Sequence, residues 1–163
     1  MDWTPFVVCD EKARAPRARG INVPEGLGDR LRTAAFAERQ AVEAFRWAAD
    51  RFENAPNELR QAWRDFAAEE AKHLGWIIER MKELGVDPAG RLVSDSLWRA
   101  LSSTTDHLDF ARLMVSAEER GKAAEESFCR SLETKDPITA EIFGRIAVEE
   151  EHHIGFQRGL IGS

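Results

Sequence analysis

Four stretches of this chain, each about 25 residues long, place apolar side chains on one helical face, and they come in two pairs. The first carries Leu31, Ala34, Ala35, Ala41, Val42, Phe45, Ala48, Ala49 and Phe52. After the break NAPN at 54–57 the second carries Leu59, Trp63, Phe66, Leu74, Ile77 and Met81, and Gly85 is placed to cap its end. The third runs through Phe110, Leu113, Met114, Ala117, Ala124, Phe128 and Leu132. The fourth opens at DPIT, with Asp136 as N-cap and Pro137 as first helical residue, and continues through Phe143, Ile146, Ala147, Ile154 and Leu160. Turns of a few residues within each pair make two antiparallel hairpins. The link between the pairs, residues 86–105, contains SDSLWRAL, which suits a short helix. Extended, such a link reaches about 66 Å, more than the ~38 Å of a 25-residue helix. Helix 3 can then run parallel to helix 2. The expected fold is all-α: an antiparallel four-helix bundle of two helical hairpins with one long crossover between helices 2 and 3.

Each stripe is interrupted by an acid. The interruptions are Glu38 in the first, Glu70 with His73 in the second, Glu118 in the third and Glu150 with His153 in the fourth. FAAEEAKHLGW at 66–76 and IAVEEEHHIGF at 146–156 are near repeats, and their offset of 80 residues also carries Glu38 onto Glu118. Periodicity and repeat select the same six residues. Carboxylates on core-facing stripes must find compensating charge, because an isolated buried carboxylate is too costly to keep. Arg39, Lys72 and Arg120 lie beside these positions but toward other faces. Two divalent ions would balance four carboxylates, and Glu-x-x-His puts both side chains on one face of a helix. A frame-shifted pair, Glu149 and His152, competes with Glu150 and His153. Of four histidines only His107 lies outside the two motifs.

Composition narrows the classes further. A net charge of −6 does not suit a nucleic-acid binder. No apolar run reaches the ~18 residues of a membrane span. The opening MDWTPFVVCDEK lacks the basic n-region of a signal peptide, so the expected location is cytoplasmic. Cys9 and Cys129 form no disulfide framework or metal motif and read as reduced packing thiols. The 163 residues divide into an irregular arm, 1–28, and one bundle domain, 29–163. The arm's basic run (Lys12, Arg14, Arg17, Arg19) reads as packing along its own domain rather than gripping an anion or nucleic acid. Trp47, Trp63, Trp76 and Trp98 read as packing residues, and Glu125 as an acid near the bundle end. Glu43, Glu69, Glu119, Glu149, Glu151 and His152 read as acids and an imidazole around the site or on the surface.

Glu38, Glu70-x-x-His73, Glu118 and Glu150-x-x-His153 resemble the ligand set of the ferritin-like di-iron superfamily, which includes rubrerythrins, bacterioferritins and O₂-activating enzymes. FAERQA and IAVEEEHH look most like rubrerythrin-type helices. FAAEEAKHLGWIIERMKELG, followed by SLW and AEERG, looks like a group of uncharacterised bacterial ferritin-like proteins, and tRNA hydroxylases are similar at the motif level. The resemblance covers about residues 29–161. It implies two metal ions per chain, iron by preference, with manganese and zinc accepted by the same ligands. It makes Glu70 and Glu150 bridging carboxylates, Glu38 and Glu118 terminal carboxylates, and His73 and His153 terminal imidazoles. It implies an oxidoreductase acting on O₂ or peroxide, an oxygenase with an external electron donor or a peroxidase, working as a monomer or homodimer. The alternatives are an iron-handling or storage protein and a metal-free structural bundle. The chain departs from the superfamily in four places. Gly121 stands where rubrerythrins carry a further glutamate, and no Cys-rich electron-transfer domain is present. Ala71 replaces the methionine that binds haem in bacterioferritins, so no haem is expected, and the absence of tyrosine excludes a tyrosyl radical.

Overall fold

The computed structural model describes residues 1–161. The elements are α1 (Gly26–Arg51), α2 (Asn57–Glu83), α3 (Ser96–Ser102), α4 (His107–Leu132) and α5 (Pro137–Ile161). Among the described residues the only strand-like pairing is a single bridge between Val8 and Val93. The fold is all-α, as the stripes require. The end of the expected 29–163 domain, residues 162 and 163, lies outside the described residues.

The chain gathers into two compact units. The first comprises Met1–Arg51 and Asn57–Ser102, and the second comprises Phe52–Pro56 and the chain from Ser103. In the first, α1 and α2 form an antiparallel hairpin. Arg60 Nε donates to the Ala49 carbonyl at 2.8 Å, and the Phe45 and Phe66 rings stand 5.5 Å apart. Toward the open end Arg32 donates twice to the Asp87 carbonyl, at 3.0 and 2.8 Å. Residue numbers rise on one helix as they fall on the other. Leu31, Ala35, Val42, Phe45 and Ala49 on α1, and Leu59, Trp63, Phe66, Ile77 and Met81 on α2, are buried. Burying each of the larger ones contributes about 1.5–3 kcal/mol. The α2 end is a Schellman cap: Gly85 has φ 66°, and the Val86 and Gly85 amides return to Met81 and Lys82 at 2.8 and 3.1 Å.

α1 begins at Gly26, ahead of the start expected at Asp29. Gly26 falls within the span expected to be an irregular arm. Its role is close packing, since a Cβ there would lie 1.9 Å from the Gly20 carbonyl oxygen. The arm lies along this same unit, as its basic run suggested. Trp3 meets Phe36 and Trp98 edge-on at 5.3 and 6.0 Å, and Phe6 lies 5.1 Å from Phe36. The Cys9 amide donates to the Val93 carbonyl at 2.9 Å, and the Val93 amide donates to Val7 at 3.0 Å. α3, the expected short helix of the link, rests on α1 through Gln40. That buried amide accepts from the Trp98 backbone at 3.0 Å and donates to the Ser94 carbonyl at 3.3 Å.

The second unit repeats the hairpin with α4 and α5. The Phe128 and Phe143 rings stand 4.8 Å apart near its turn, and Lys122 pairs with Glu151 farther along. Asp106 caps α4, accepting from the Leu108 and Asp109 amides at 2.8 and 3.3 Å. Asp136 caps α5 as expected, accepting from the Thr139 amide at 3.1 Å with Pro137 as the first helical residue. No helix among the described residues is long and apolar enough to cross a membrane.

One ion-pair cluster ties the arm to α1. The buried Asp29 carboxylate accepts from Arg19 Nε and Nη2 at 2.7 and 3.0 Å and from the Arg19 backbone amide at 3.1 Å. Arg32 and Arg91 stand at 3.4 and 3.6 Å. Chiefly through the Arg19 guanidinium bonds, and against the opposing effect of burial, the Asp29 pKa is held down to about 2 from its ordinary 3.8. A carboxylate with a depressed folded pKa stabilises fully above its unfolded value and loses that contribution as pH falls through the folded one. Asp29→Asn should therefore cost about 2 kcal/mol at pH 7. In urea titrations the deficit should shrink from pH 3.8 toward pH 2, and a pH-independent deficit would refute this origin.

Candidate metal centre

Within each unit the helix register brings one carboxylate to face a Glu–His pair. From the Phe45–Phe66 contact, seven residues back along α1 and seven forward along α2 reach Glu38 and His73. From Phe128–Phe143, ten residues back along α4 and ten forward along α5 reach Glu118 and His153. These shifts of about two and three helical turns hold the facing residues on the inner face. Glu70 and Glu150 join them because positions i and i+3 share a face.

The first triad is Glu38, Glu70 and His73. His73 Nδ1 lies 3.8 Å from Glu38 Oε2 and 3.6 Å from Glu70 Oε2. The second is Glu118, Glu150 and His153, with His153 Nδ1 3.8 Å from both Glu118 Oε1 and Glu150 Oε2. In each, one donor atom from every member falls within 4.8 Å of the others. All six residues are buried, and both histidines are wholly so, at 0% exposure.

These separations exceed a hydrogen bond. They do suit ligands of a shared ion. Two donors about 2.1 Å from one metal stand roughly 3.0 Å apart at right angles, 3.4 Å at the tetrahedral angle and 4.2 Å in opposition. Two carboxylates and a neutral imidazole, with no thiolate, form a donor set for iron, manganese or zinc. The buried Glu/His groups are therefore compatible with metal binding on both donor chemistry and spacing.

The neighbouring cations are engaged elsewhere, as their helical positions predicted. Arg39 pairs with Glu43 at 2.6 Å, Lys72 lies 5.1 Å over the Trp76 ring, and Arg120 donates to Ser116 Oγ at 2.6 Å. In the competing frame His152 is exposed and Glu149 half-buried. Glu119 pairs with Arg158 and Glu151 with Lys122 on the outer surface, while Glu69 and Glu125 are half-buried and outside both triads. Trp63 is core, and Trp47 and Trp98 pack edge-on at 6.3 Å. Trp76 packs beside the first triad, its ring 5.5 Å from that of His73.

Sequence reasoning missed Gln157. This wholly buried amide donates through Nε2 to Glu118 Oε2 at 2.9 Å. The available signal was a polar residue on the fourth stripe between Ile154 and Leu160. The repeat concealed it, because the matching position in the first hairpin is Ile77.

The model of a protein family matches residues 5–158, and its description is "Protein of unknown function (DUF455)". The chain belongs to the DUF455 family. The matched span takes in both triads and nearly all of the arm, so the DUF455 unit includes the segment that packs over α1 and α3. No curated protein and no solved structure matches the chain.

Two buried carboxylates close together repel when no ion lies between them, and replacing one by its neutral isostere relieves that repulsion. In chelator-treated protein, Glu70→Gln should raise unfolding stability by about 1 kcal/mol or more. With metal restored, the order should invert because the variant has lost a ligand. Denaturation curves with and without chelator test this, and a destabilised variant under both conditions would contradict it.

Proposed function

We propose that the two triads hold a pair of divalent metal ions, iron by preference, and that the protein is an oxidoreductase acting on O₂ or peroxide. The observation that carries this reading is the recurrence of a buried Glu, Glu, His triad in corresponding register on each hairpin. Six separate choices of a polar side chain on a core stripe are hard to explain by packing, where each would cost free energy. The ferritin-like resemblance supports the same assignment. It gives Glu70 and Glu150 the bridging role and makes Glu38, Glu118, His73 and His153 terminal ligands. With it comes the ferritin-like four-helix arrangement of the two hairpins.

When bound, a ferrous pair supplies two electrons to one oxidant molecule. The chain's own residues do the rest. Glu38, Glu70, Glu118 and Glu150 would together offset the charge of two divalent ions. His73 and His153 would each offer Nδ1 to an ion. Burial of the site excludes bulk water, which strengthens each charge interaction and limits loss of reactive species. An external reductant completes the cycle.

Elemental analysis of protein purified without chelators, from cells supplied with iron and manganese, tests the proposal. About two ions per chain are expected in the unaltered protein, with loss in Glu70→Ala/Glu150→Ala. A folded protein that carries no metal and takes none up would overturn it. Ferrous oxidation with the iron retained in a particle of high mass would identify iron storage instead.

A further inference from the structure

Glu118 has two chemically distinct ends. Its Oε2 accepts from the Gln157 amide at 2.9 Å, and its Oε1 faces His153 Nδ1 at 3.8 Å. Gln157 lies one turn beyond His153 on α5 and is wholly buried. An ionised carboxylate only accepts hydrogen bonds, so the amide must present its nitrogen, and a buried charge-assisted bond of this kind holds its acceptor firmly. Eighty residues earlier, at the matching place beside the first triad, stands Ile77, equally buried and with no donor in its side chain.

The geometry points to Gln157 as a positioning residue that turns Glu118 into a one-oxygen ligand and makes the two halves of the metal centre unequal. This inference rests on the metal reading above. The amide fixes the carboxylate plane and reserves Oε1 for the ion, so the second triad is preorganised by a device that position 77 cannot supply. Outer partners that orient a ligand in this way typically change metal affinity by about 10- to 100-fold. The two ions should then bind in separate steps with different coordination.

The test isolates each triad and uses Co²⁺ alone as the probe. Glu38→Ala/His73→Ala leaves the second triad, and Glu118→Ala/His153→Ala leaves the first. Adding Gln157→Met, which keeps the side-chain length and removes the donor, should weaken Co²⁺ binding at the second triad by about 10- to 100-fold. It should also alter the visible Co²⁺ spectrum there, while the first triad keeps its affinity and spectrum. Gln157→Leu serves if the Met variant does not fold. Independently of position 157, the two single-triad proteins should differ in Co²⁺ affinity and spectrum. Binding that is unchanged, tightened or weakened equally at both triads overturns the role of Gln157, as does identical behaviour of the two triads. Failure of the unaltered chain to bind Co²⁺ overturns the metal reading itself.

Discussion

A carboxylate inside a helical core is the constraint around which the rest of this protein is organised. Glu38, Glu70, Glu118 and Glu150 occupy positions that apolar side chains would fill at lower cost, and all four are buried. Such groups are retained when something else stabilises them. The nearby cations Arg39, Lys72 and Arg120 reach Glu43, the Trp76 ring and Ser116. What the chain places beside each acidic pair is an imidazole, at distances that suit a common ion rather than a hydrogen bond. Paired helices with aromatic contacts such as Phe45–Phe66 and Phe128–Phe143 hold these Glu and His side chains in place better than loops would.

The arm and α3 form a second layer over α1, on the unit that carries the first triad. Their attachment is mixed in kind: aromatic packing at Trp3 and Phe6, a single backbone bridge at Val8, the Gln40 amide, and the Asp29 cluster. Only the last depends strongly on protonation. A charge cluster in the first turn of α1 also suits the helix dipole, since Asp29 lies where a negative charge is favoured.

Much of this is legible in the amino-acid sequence. The stripes gave the four long helices because their apolar positions repeat at 3.6 residues without an internal proline. The caps at Gly85 and Asp136 could be read because each depends on one residue type with a local mechanism. The six site residues stood out because polar groups on a core stripe are costly, and the offset of 80 named them a second time. What escaped detection had no local signature. The start of α1 at Gly26 is one case: sequence shows a glycine's conformational freedom but not the carbonyl of Gly20 pressed against it. The pairing of Arg19 with Asp29 joins residues ten apart through a loop of no regular period, and Gln157 broke the repeat that exposed its neighbours.

Each triad is complete within a single hairpin, its members drawn from two adjacent helices and a stretch of some 35 residues. A hairpin of this kind is a self-contained module. One short polypeptide bearing Glu and Glu-x-x-His, made as two identical copies, would carry the same complement of ligands that this chain achieves by tandem repetition. Within one polypeptide the two halves need not be identical. A residue can differ beside one triad without differing beside the other, as Ile77 at the position matching Gln157 illustrates.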